Sequence, residues 1–215
     1  MSFDTWIAYI VASSIIAASP GSGAVLSITH SMSYGVKRTS ATILGLEIGL
    51  VLILFVAGAG VGTLLLASEI GFSLVKILGA CYLIYLGWTQ WRAVIPAAEN
   101  NEPGQDSSPR NIKTLSWRQR FLTGFLTNAT NPKSIIFMVA VLPQFISHQH
   151  PLVIQLIVMA CTMVFVDAVF SFVYAFSAKI LQKTFKSAKA LKIQNRFFGG
   201  VLISLGTGLL FVKRT

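Results

Sequence analysis

Ser19-Pro20-Gly21-Ser22-Gly23 interrupts the first long apolar segment of this chain. A segment that only crosses a membrane is expected to be unbroken helix. Pro20 has no amide hydrogen and cannot bond to the carbonyl one turn back. Gly21 and Gly23 lift the Cβ restriction beside it. A break at membrane depth leaves polar backbone that lipid cannot satisfy, so it occurs where the backbone is buried in protein or lines a wet cavity. A second break, Asn131-Pro132-Lys133, lies in the other half of the chain, again near the start of an apolar run. Interrupted helices at matching places in two halves point to a binding site between them.

The composition sets the class. Of the 215 residues, 54% are hydrophobic and 11% charged, and the mean hydropathy is +0.71. A soluble domain carries about 25% charged residues, so this is a polytopic membrane protein with little material outside the bilayer. The formal charge of +10 is no nucleic-acid signal, because the cations cluster in a few loops between apolar spans. Cys81 and Cys161 are the only cysteines. Both lie in apolar segments and read as small core residues rather than as a disulfide or metal pair. The N-terminus carries Asp4 and no basic n-region, so the first span is expected to be retained rather than cleaved.

About 20 apolar residues span a bilayer as helix. Six stretches qualify, near 5–28, 39–66, 72–91, 121–146, 151–175 and 197–212. Lys37 and Arg38 fall between the first two. Arg92, Arg110, Lys113, Arg118 and Arg120 fall between the third and fourth. Lys179, Lys183, Lys186, Lys189, Lys192 and Arg196 fall between the fifth and sixth. These are thirteen of the seventeen basic residues, and all three loops lie on one side. The positive-inside bias puts that side in the cytoplasm and both termini outside.

The expected fold is therefore an all-α integral membrane protein with six transmembrane helices. Residues 1–92 and 119–215 form two three-helix repeats, with helices one and four broken. Three spans per repeat is an odd number, so the repeats insert in opposite senses, the inverted-repeat plan of many secondary transporters. Lys76-Ile77-Leu78-Gly79 and Arg196-Phe197-Phe198-Gly199 open the third and sixth spans alike. Residues 93–118, with Pro96, Pro103, Gly104 and Pro109 among acids, read as a cytoplasmic linker. Within 179–196, cations and apolar residues recur three or four apart on opposing faces. This predicts either a helix lying on the inner leaflet or a charged loop that only sets topology. Gly45 with Gly49, and Gly58 with Gly62, have the small-xxx-small spacing of close helix packing.

Further motifs carry a family likeness. Ser-Pro-Gly-Ser-Gly-Ala at 19–24, Gly-Leu-Glu-Ile-Gly at 45–49 and Gly-Ala-Cys-Tyr-Leu-Ile-Tyr-Leu-Gly at 79–87 are followed by Asn-Ala-Thr-Asn-Pro-Lys-Ser at 128–134 and Leu-Pro-Gln-Phe at 142–145. In this order, over nearly the whole chain, they resemble the LysE/RhtB superfamily of amino-acid exporters, and most closely its homoserine/homoserine-lactone efflux branch. The resemblance implies six spans, a bacterial inner membrane, and proton-driven efflux of small amino acids or their derivatives, among them homoserine, homoserine lactone and threonine-like molecules. Many relatives carry a second proline at the position of Ser22, and the homoserine branch resembles this chain in lacking it. Glu47 departs from the pattern, which leads one to expect a neutral residue such as Gln. The extra carboxylate changes which cation or proton the cavity can hold.

Candidate site residues follow. Glu47 and Asp167 are the only acids deep in the predicted spans. A charge at the bilayer centre costs on the order of 2.5–3.5 kcal/mol, so such acids face a wet interior and find a partner. Burial favours a neutral carboxyl and an incoming cation favours the charged one, which lets one carboxyl exchange a proton for an amino group. The competing reading is a neutral acid bonded between helices. Pro20, Gly21, Ser22 and Gly23 at one break, with Asn128, Asn131, Pro132 and Lys133 at the other, are the expected substrate contacts. Lys133 beside a helix N-terminus suits a carboxylate, or else it snorkels to the outer interface. Asn128 and Asn131 either bind substrate or cap the broken helix.

The scattered His30, His148 and His150 make no metal set. An intramembrane hydrolase built on Ser22 needs a histidine at its depth. His30 lies two turns along the same helix, about 12 Å away. No enzyme activity, metal or cofactor is expected. The expected partners are a small amino-acid substrate, the proton and membrane lipids, with a homo-oligomer left open and nucleic acid excluded.

Overall fold

The computed structural model describes residues 1–67, 69–92, 115–147, 149–178, 180 and 188–211. The described residues form helices with no strand. In order they are α1 (Phe3–Ala18), α2 (Ser22–Tyr34), α3 (Val36–Ala67), α4 (Glu69–Trp91), α5 (Trp117–Ala129), α6 (Pro132–Val141) with a 3-10 turn (Leu142–Phe145), α7 (Leu152–Phe176) and α8 (Ala188–Phe211).

Both interruptions are present. α1 and α2 meet at an angle of 55°. Ser19 leaves the helix in extended conformation, and Gly21 (φ −143°, ψ −166°) starts α2 as an N-cap without a side-chain bond. At the second break Asn131 is extended, and its side chain accepts from the Lys133 amide at 3.0 Å. Pro132 then takes the first helical position, where its missing N–H is no loss. The bland role for Asn131, capping, is thus filled.

The central helix is α3. Residues 36–60 and α7 are each long and apolar enough to cross a bilayer, and the bent α1–α2 pair makes a third such span. Within these windows 56% of α3 is buried but only 28% of α7, so α3 sits inside and α7 at the rim. The outward face of α7 carries Val153, Ile154, Ile157, Phe165, Val169 and Val173. A row of exposed large apolar side chains of this length fits a lipid-facing surface.

Backbone proximity holds the halves together. A Cβ on Gly45 would fall 2.0 Å from the Phe121 carbonyl oxygen, and one on Gly124 would fall 2.1 Å from that of Thr42. The α3–α5 crossing is therefore built on the absence of side chains. Gly87 and Gly199 bring α4 and α8 together in the same way, and Gly58 receives Leu156. The surroundings of Gly62 lie outside the described side chains. α1 is tied to α7 by Trp6 Nε1 donating to Thr162 Oγ1 at 3.0 Å and Tyr9 Oη donating to the Met159 carbonyl at 3.3 Å.

The structure changes several details expected from the sequence. Lys37, Arg38, Arg118 and Arg120 lie in the first turns of α3 and α5, not in loops. Lys189, Lys192 and Arg196 belong to α8, which runs without a break through residue 197. From residue 188 onward there is thus no separate surface helix, and residues 181–187 lie outside the described set. The linker reading at 93–114 and His148 also lie outside it. Cys81 and Cys161 are exposed rather than core, because a lipid-facing surface accepts an apolar thiol as readily as an interior does.

Candidate functional site

Ending a helix inside the protein leaves carbonyls without donors. Pro20 occupies the position whose N–H would have bonded to the Ile16 carbonyl. Lys133 supplies the donor instead: its Nζ lies 3.0 Å from the Ile16 oxygen and 2.5 Å from that of Ser19. Tyr174, from α7, donates its hydroxyl to the Ala18 carbonyl at 2.6 Å. The broken end of α1 is thus closed by a cation and a phenol from two other helices. Positive charge at a helix C-terminus also complements the dipole.

A small cavity of about 50 Å³ lies between the two breaks. Of the residues singled out in the sequence, Gly21, Gly23, Asn128, Asn131, Lys133 and Asp167 line it. Pro20, Pro132, Glu47 and Ser22 are not in its lining. The prolines shape backbone rather than present groups, and Ser22 is exposed. Asn128 is buried and fully engaged: Nδ2 donates to the Leu46 carbonyl at 2.8 Å, and Oδ1 accepts from Ser134 Oγ at 2.8 Å. It locks α5 to α3 beside the cavity.

The charged groups converge. Asp167 is within electrostatic reach of both Lys133 and Glu47. Glu47 is 5% exposed, and neither of its oxygens has a hydrogen-bond partner of normal geometry. Gly45 and Gly49 face α5. Glu47, two positions from each, therefore turns to the opposite side of α3, toward α7 and Asp167.

Ser19, Ser134, Ser171 and Tyr174 join the lining but were not among the expected substrate contacts. Tyr174 had a readable signal: it lies seven residues, two turns, after Asp167, on the same face of α7. Ser19 and Ser134 adjoin the two breaks in sequence, while Ser171 had no such signal. His30 bonds through Nδ1 to Thr42 Oγ1 at 2.7 Å, so it is occupied at α3 rather than serving Ser22 as a base.

A larger cavity of about 930 Å³ lies between α1, the end of α6, Trp91 and α8. Ile15, Val141, Phe145, Phe197, Val201 and Leu205 form most of its wall. Its polar lining is Gln144, Arg196 and Ser204, with no acid to pair an ammonium. The 50 Å³ cavity is the candidate site because its walls carry opposite charges, Lys133 and Asp167, beside the uncapped start of α2. A small-molecule pocket has a volume of about 300–1,000 Å³, so the cavity is too small here to hold an amino acid.

A family model described as LysE type translocator matches residues 14–213. A "Homoserine/homoserine lactone efflux protein" of Salmonella typhi is 36% identical over 206 residues, covering 96% of each chain. The protein of the same description from Salmonella typhimurium strain LT2 is equally similar. An "Uncharacterized membrane protein" of Vibrio cholerae is 33% identical over 99% of this chain and the whole of its own. No solved structure matches the chain. The matched family is one of transporters, not enzymes.

Proposed function

The chain belongs to the LysE-type translocator family, and on that premise we propose that it exports small amino acids or their derivatives from the cytoplasm by proton antiport. Homoserine, homoserine lactone and threonine-like molecules are the substrates to try first, given the efflux named for the Salmonella relatives. The observation that carries the reading is the cavity between two helix breaks, with Lys133 and Asp167 on its walls.

Each end of an amino acid has a counterpart there. The amides opening α2 have no side-chain cap and lie beside Lys133, a setting for a carboxylate. Asp167 is the counterpart for the ammonium. A carboxyl at this depth holds either a proton or an ammonium. Binding the substrate from the cytoplasm then releases the proton inward, and the outer face reloads it. Admitting the substrate requires the cavity to widen, with rotation at Ser19–Gly21 and Thr130–Asn131 as the hinges.

The architecture in this reading is six spans in two inverted repeats, 1–92 and 119–215, in a bacterial inner membrane with both termini outside. The pairing of α3 with α5, α4 with α8 and the α1–α2 unit with α7 supports it, since each pair joins one repeat to the other. The test is uptake of labelled amino acids and homoserine lactone into inverted vesicles, with and without an imposed proton gradient. Gradient-dependent accumulation is expected. Accumulation that ignores the gradient would remove the antiport, and no accumulation of any of them would remove the export reading.

A further inference from the structure

Glu47 is the buried group that this mechanism leaves unused. It is 5% exposed, has no hydrogen-bond partner of normal geometry, and turns toward Asp167, which lines the cavity. The charged neighbour on α6 is Lys133, already held by the Ile16 and Ser19 carbonyls. Tyr174 on α7 is engaged with Ala18. Among the described residues the charge of the site, fully ionised, is two carboxylates against one ammonium. A mostly buried site at membrane depth disfavours an unbalanced charge, and one further positive charge would balance it.

We propose that the Glu47–Asp167 pair holds one proton and exchanges it for one monocationic amine without a carboxylate, such as an amino lactone, ester or amide, in preference to a zwitterionic amino acid. The inference rests on the export reading of the same site and names its substrate class. The balance is simple. The carboxyl O–H bond breaks, the proton leaves to cytoplasmic water, and the ammonium takes its place in the cavity beside the Asp167 carboxylate, with Glu47 behind it. On the outer side the ammonium leaves and an outside proton re-forms the O–H bond. One cation moves out for one proton in, so the exchange is electroneutral. A zwitterion that displaced the proton would bring its own carboxylate and leave the site one negative charge in excess. With a neutral residue at position 47, Asp167 and Lys133 balance each other, and a zwitterion fits without that excess.

The experiment compares L-threonine with L-threonine amide in proteoliposomes of the full chain, at a pH where the amide's amine is charged. The wild type should take the amide with an apparent affinity higher by about tenfold or more, the effect of one unbalanced charge at close range. Its uptake should move one proton per amide and be insensitive to membrane potential. Glu47→Gln should collapse the affinity ratio, and Glu47→Asp should keep it. A wild type that favours threonine overturns the inference, as does a ratio that Glu47→Gln leaves unchanged, while export of threonine leaves the export reading standing. A wild type that moves neither compound, nor any amino acid, overturns the export reading itself.

Discussion

Replacing Lys133 by Met should destabilise the protein through the broken end of α1, and Pro20→Ala should undo part of the damage. Lys133 Nζ bonds to two carbonyls, Ile16 at 3.0 Å and Ser19 at 2.5 Å. Hydrogen bonds to charged groups contribute ~1.5–3 kcal/mol each, so losing both costs about 3–6 kcal/mol. The Ile16 carbonyl needs this outside donor because residue 20 is proline. Pro20→Ala restores an N–H at the position that serves Ile16 in a continuous helix. In the Lys133→Met background that N–H replaces one of the two lost donors and should recover about 0.5–1.5 kcal/mol, the net worth of an ordinary hydrogen bond. The assay is reversible unfolding in mixed micelles of the wild type, both single variants and the double variant. A favourable coupling of about 1 kcal/mol is expected between these sites, which share a partner. Energies additive to within about 0.3 kcal/mol would refute the claim that Lys133 stands in for the amide missing at Pro20.

Asp167→Asn keeps shape and hydrogen bonding but cannot ionise. It should insert normally and lose gradient-driven vesicle uptake, and normal uptake would place the coupling elsewhere. In the wild type, substrate affinity should rise with pH as protons compete less for the carboxyl, over the range in which the substrate amine stays charged. Equilibrium binding should show that slope flattened in Asp167→Asn. Gly124→Ala puts a Cβ 2.1 Å from the Thr42 carbonyl oxygen and should cost about 1–3 kcal/mol or more by overpacking. A melting temperature equal to wild type would mean that the α3–α5 crossing is looser than described. Reporter fusions at Thr215 and Gln105 should report opposite sides of the membrane, and a shared side would overturn the orientation.

What the sequence determined by itself is what local chemistry determines. Pro20 lacks an amide hydrogen in any environment, so the first apolar segment had to break there. Asn131-Pro132 suits a cap followed by a first helical position. An apolar chain with so few charges had to be a membrane protein. The deep acids were legible for a similar reason, since a carboxyl at membrane depth is costly in every fold and so marks an interior.

The tertiary structure decided which groups meet. Lys133 is aimed at carbonyls more than a hundred residues earlier, and no spacing within its own helix encodes that. Tyr174 reaches Ala18, and Asn128 reaches Leu46, across similar gaps. Ser22 stands in the break, yet it is exposed. The side a residue takes after a break depends on the 55° bend and on what α3 and α7 leave open. The backbone groups freed at a break must find donors, and only the packing of distant helices sets which side chains are close enough to supply them.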